Sequence, residues 1–85
     1  MSPEQLEGIL EQHSSIDYVA VEGDGKHYHL TFVSDEFIDK PKVKRQLWVY
    51  ELLNQPILSG QLHAIHLKTW TKSEWQKILE ENQLG

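Results

Sequence analysis

Residues 23–33 read GDGKHYHLTFV, and how they fold decides how the rest of the chain is arranged. Two glycines bracket an aspartate. The run that follows alternates, with Tyr28, Leu30 and Phe32 on one parity and His27, His29 and Thr31 on the other. A period of two is the mark of a strand with one buried face. Asp24-Gly25 is a hairpin signal, because such a turn needs positive φ. The preceding IDYVAVE, residues 16–22, carries β-branched and aromatic side chains suited to a strand. The two strands, 16–22 and 27–33, are therefore expected to be antiparallel neighbours.

Helical signals lie on both sides of this hairpin. Ser2-Pro3-Glu4-Gln5 opens a first helix: serine caps it, proline suits its first turn and glutamine completes a capping box. Leu6, Ile9, Leu10 and His13 share one face, and the helix is expected to end by Ser14. After a loop around SDEF, Asp39-Lys40-Pro41 starts a second helix with a core stripe of Val43, Leu47 and Tyr50. Trp48 and Leu52 fall on its opposite side, which makes that second apolar face a candidate contact surface. Pro56 ends this helix or divides off a short one around Ile57 and Leu58, and Gly60 marks a turn. LHAIHLKT, residues 62–69, reads as a third strand. Thr71-Lys72-Ser73-Glu74 is another capping box, leading into a last helix that buries Trp75, Ile78 and Leu79.

The expected order is α-β-β-α-(α)-β-α, an α/β (α+β) domain with a three-stranded mixed sheet over residues 1–85. A strand, a helical crossover and a neighbouring strand in one sheet pair in parallel. Parallel strands begin at the same end, so His27 and His63 should lie on one rim, with Asp24 in the adjoining turn. Alternation sets His27 on the polar parity and His63 on that of Ile65 and Leu67. A frayed or twisted strand end would be needed for the two rings to converge. These histidines are either ordinary strand residues or half of a metal site.

Composition narrows the choices. Hydrophobic content of 39% and charged content of 25% describe a soluble globular chain. No run approaches the ~20 apolar residues of a membrane span, and MSPEQLEG has no secretory character, so the expected location is cytoplasmic. Zero cysteines exclude disulfides, thiolate catalysis and an all-protein iron–sulfur site. The net charge of −5 opposes wholesale nucleic-acid binding, yet Lys40, Lys42, Lys44 and Arg45 form a local basic cluster. Phosphate contact by this cluster, with Trp48 able to stack a base, is one reading; a solvated helix start is the other. No enzyme motif stands out: the serines occupy turns and caps, and GDG is a hairpin rather than a phosphate loop.

GDGKHYHL, FIDKPKVKRQLWVYELL (residues 37–53), LHAIHLKTWT (62–71) and the following SEW together resemble the BolA family. The VKRQ run and the T-x-x-E-W ending are most similar to its bacterial IbaG-type branch. The resemblance covers nearly the whole chain and implies a class II KH-like fold. It also implies a non-enzymatic partner of a monothiol glutaredoxin, sharing a bridging [2Fe-2S] cluster in iron–sulfur trafficking or in iron-linked or stress regulation. Glutathione would be supplied on the glutaredoxin side, and the isolated chain would carry no cofactor; independently of the resemblance, a monomer is the default expectation for the metal-free chain. By the same resemblance His63 is the shared ligand, His27 the second, and Asp24 a poorer alternative where some relatives have cysteine. Asp39 stands where many members have glycine, and Pro41 replaces a common serine. The alternative function is a KH-like DNA-binding transcriptional regulator acting through the basic segment of the second helix. The chain lacks the GXXG loop of nucleotide-clamping KH modules.

Overall fold

A computed structural model describes residues 2–24, 26–54 and 64–84. Its elements run α1 (Pro3–Glu11), β1 (Tyr18–Gly23), β2 (His27–Val33), α2 (Lys42–Leu53), β3 (Ala64–Trp70) and α3 (Lys72–Leu84), with a short 3-10 turn at Asp35–Phe37. The expected short helix around Ile57 and Leu58, and residues 62–63 of the third strand, lie outside the described residues. The sheet order is β1-β2-β3; β1 pairs antiparallel with β2, and β2 pairs parallel with β3. The expected mixed sheet and its crossover are thus what forms.

Capping chemistry starts two of the helices as the sequence indicates. The Gln5 amide donates to Ser2 Oγ at 3.1 Å, and the Ser2 amide donates to Gln5 Oε1 at 3.0 Å. At α3 the Glu74 amide donates to Thr71 Oγ1 at 3.2 Å, and the Thr71 amide to Glu74 Oε1 at 2.8 Å. Each pair satisfies amides that have no partner within the helix. Pro41 caps α2 without a side-chain bond.

The core lies on one face of the sheet. Val19, Tyr28, Leu30 and Phe32 meet Leu6 and Leu10 from α1, Phe37, and Val49, Leu52 and Leu53 from α2. Strand alternation is obeyed on β2, where Tyr28 and Leu30 are buried while His27 and His29 are exposed. On α3, Trp75 is half-buried and stacks on Tyr18, with ring centroids 5.4 Å apart. Leu79, expected in the core, is exposed.

The face of α2 is reversed relative to expectation. Val43, Leu47 and Tyr50 are 68%, 57% and 47% exposed. Val49, Leu52 and Leu53 are buried instead, and Trp48 packs against the core. Two causes act together. The inward set carries more apolar area, and Arg45 on the same side is drawn down onto β3 and α3. Leu52 and Trp48 are therefore core contacts, and the outward apolar stripe is the opposite one.

Candidate functional site

Hydrogen bonds to a carboxylate organise the turn between β1 and β2. Asp24 Oδ1 accepts from the Lys26 and His27 amides, each at 2.8 Å. These bonds, led by that from His27, hold the Asp24 carboxyl at about 2, well below its ordinary value. Its other oxygen sits 3.5 Å from His27 Nδ1. Asp24 thus lies beside one ring nitrogen of His27, a contact at the outer limit of hydrogen-bond length. Both side chains are 67% exposed.

The turn also has a steric requirement. Gly23 adopts φ +157°, and a Cβ there would collide with the His27 carbonyl oxygen. Asp24 then donates its amide to that same oxygen at 3.3 Å. Gly25, the expected positive-φ position, lies outside the described residues. The glycine demand seen here belongs to the residue before Asp24.

The parallel register places the rim. His27 is paired with Ala64, and the Ala64 amide donates to the Lys26 carbonyl at 3.4 Å. Ala64 is the residue that follows His63 in the chain. His63 itself lies outside the described residues, so the expected His27–His63 pair has no measured separation. Among the described residues no three histidine, aspartate or glutamate side chains gather as a metal site. The described donors therefore amount to one exposed imidazole with a carboxylate behind it. Imidazole nitrogen is a donor that iron–sulfur clusters accept, so the exposed His27 ring is of a type that could ligate iron.

A histidine pair forms on the open face of the sheet. His29 and His66 are register partners, and their rings stack 4.8 Å apart with planes inclined by 12°. Both side chains are exposed and packed on one another.

The basic cluster divides in the fold. Lys42 and Lys44 are exposed at the start of α2, and Lys40 Nζ lies 3.8 Å from Glu36 Oε2. Arg45 does not join that surface. Its side chain is 12% exposed and reaches Glu74 Oε1 at 2.7 Å. It also donates to the Lys40 and Thr69 carbonyls, at 2.8 and 3.2 Å, and its guanidinium lies over the Phe37 ring. Arg45 instead ties α2 to β3 and α3, with its guanidinium turned away from the exposed lysines. Trp48 is likewise no exposed stacking platform. Its indole meets Phe37 edge-to-face at 5.4 Å and His13 at 5.7 Å.

Ser34, a turn or cap serine by the sequence, caps the 3-10 turn and is also fully buried. Its hydroxyl donates to the Ser15 carbonyl and accepts from the Glu36 amide, while its own amide donates to Trp70. It joins the α1–β1 loop, the 3-10 turn and β3. Its capping role was legible in the sequence; its burial and its bond to the Ser15 carbonyl were not.

Comparison with known proteins agrees with this architecture. The BolA-like protein family matches residues 1–74. A protein of the rpoN–murA intergenic region of Acinetobacter guillouiae is 40% identical over 77 residues, spanning 91% of this chain and 93% of its own. Acid stress protein IbaG of Escherichia coli K12 is 31% identical over 77 residues, covering 91% of this chain and 92% of its own. The BolA protein homologue of Coxiella burnetii superposes with a TM-score of 0.77 at 25% identity, over 89% of this chain and 97% of that one. With the mixed sheet, the crossover and the hairpin turn all in this arrangement, the chain belongs to the BolA family, on the side of its IbaG-like bacterial members.

Proposed function

We propose that this chain is a non-enzymatic partner of a monothiol glutaredoxin and holds one side of a shared [2Fe-2S] cluster, in iron–sulfur trafficking or iron-linked stress regulation. The observation that carries the reading is the Asp24–His27 turn: an exposed imidazole, with a carboxylate beside Nδ1, at the strand end paired with the residue after His63. His27 and His63 would hold the outer iron, with Asp24 behind His27. The cluster would supply a transferable or redox-active iron centre. A chain without cysteine contributes nitrogen donors, and the partner's thiolate and glutathione would complete the set. Similarity to an acid stress protein supports a role in stress regulation.

The test is anaerobic reconstitution with a monothiol glutaredoxin, glutathione, iron and sulfide, followed by visible absorption and circular dichroism. His63→Ala is expected to abolish the mixed-complex spectrum, and His27→Ala to shift and weaken it. An unchanged spectrum in His63→Ala would overturn the reading. DNA binding through α2 is the alternative, now resting on Lys42 and Lys44 alone among the exposed members of the cluster. Absence of salt-sensitive DNA binding at low ionic strength removes it.

A further inference from the structure

The outward stripe of α2 is apolar, and its helix carries charge in an unusual order. Val43, Leu47 and Tyr50 fall within about 60° of arc, directly opposite the buried Leu52. Lys42 and Lys44 occupy the first turn, where no acidic residue is present. Glu51 occupies the last turn, where no basic residue is present. This is the reverse of what a helix dipole favours: acids belong at the amino end and bases at the carboxyl end. Within one molecule the mismatch stays, because Lys44 and Glu51 are about 10.5 Å apart along the axis.

We propose that α2 docks antiparallel on α2 of a second copy, forming a two-fold dimer centred on Leu47. In such a pairing each flank of one helix meets the same flank of the other. Lys44 and Glu51 share a flank, within about 20° of each other, so Lys44 of each copy faces Glu51 of the other. The lysines then approach the carbonyl end of the opposing helix, and Glu51 its amide end, which removes the mismatch in both copies at once. Val43 of one copy lies against Tyr50 of the other, and the two Leu47 side chains meet on the axis. A partner of uniformly acidic character would satisfy the lysines and leave Glu51 opposed, whereas a second copy satisfies both. Three apolar side chains per copy cover less than the ~800 Å² per partner of a standard interface, so the dimer is weak and concentration-dependent.

Sedimentation equilibrium between about 10 µM and about 1 mM reads this directly, on the affinity scale of weak complexes. The expected result is a mass rising from 9.9 kDa toward twice that value. Leu47→Glu should remove the rise. Lys44→Glu and Glu51→Lys should each weaken association by about three- to tenfold, as exposed pairs turned repulsive do, and the double exchange should restore it. All three positions face solvent, and far-UV circular dichroism confirms that the variants fold. A mass constant at 9.9 kDa throughout, association surviving Leu47→Glu, or a double exchange that fails to restore it, overturns the proposal.

Discussion

Asp24 shows how one side chain can set the shape of a turn and sit beside a candidate ligand. Its carboxyl is depressed to about 2 from an ordinary 3.8, first by the His27 amide and next by the Lys26 amide. A depressed carboxyl adds stability above its unfolded value and loses that contribution as pH falls through its folded one. The turn should therefore hold at pH 5 and loosen only as pH drops below about 4 toward 2. Carboxyl-carbon NMR titration reads the midpoint; a value near 4 would count against these bonds. Asp39 makes a second case. It is the single described non-glycine residue at positive φ, +62°. Aspartate tolerates this region better than most residues, yet glycine has no Cβ to strain. Asp39→Gly is expected to stabilise by about 0.5–1 kcal/mol and Asp39→Val to destabilise by about 1–2 kcal/mol, measured by urea unfolding. The loop before α2 thus uses a glycine-like conformation although the sequence supplies aspartate there.

At the scale of elements, α2 depends on Arg45. The guanidinium bridges Glu74 on α3, a β3 carbonyl and the Lys40 carbonyl ahead of its own helix, and it covers Phe37. Glu74 is held below its usual carboxylate range first by that arginine. Removing the arginine takes a donor from the Lys40 and Thr69 carbonyls and the counter-charge from Glu74, which keeps the Thr71 amide. Arg45→Ala should cost about 2–3 kcal/mol. Arg45→Lys should recover only part, because an ammonium cannot reproduce the planar fork. Equal stability of the lysine variant and the parent in thermal melts would deny the fork its role. The capping boxes act at this scale too, at a smaller magnitude. Ser2→Ala should lower stability by about 1 kcal/mol, seen as a shifted urea midpoint with an unchanged slope.

Across the whole molecule, one face of a three-stranded sheet carries the core while its rim carries the candidate ligand. Phe32 is fully buried at the centre of that core. Phe32→Ala is expected to cost about 3–5 kcal/mol, a large share of the total for a domain this small. Loss of the cooperative thermal transition, or a large drop in its midpoint, is the measurement. The proposed cluster sharing would be a property of the assembly and would carry its own acid dependence. Iron takes imidazole only in its neutral form, so the mixed complex should lose its visible spectrum as the solution is acidified. A spectrum indifferent to pH between about 5 and 8 would argue against nitrogen ligation.

Local chemistry was sufficient to read several features from the residues alone: the hairpin, the alternating β2 strand, both capping boxes and the parallel crossover. Each depends on neighbours a few positions apart, or on the handed, short connections that chains make. The rim that brings His27 beside the start of β3 follows from the same rules. Tertiary structure alone decided which side of α2 faces inward, because that helix is apolar on both sides and periodicity cannot choose between them. Arg45 made part of that choice through Glu74, a partner 29 positions away that no local pattern points to. The same reason hid the burial of Ser34 and the His29–His66 stack. Their partners come together only when strands and loops distant in the chain pack, and burial then turns an ordinary polar residue into a structural joint.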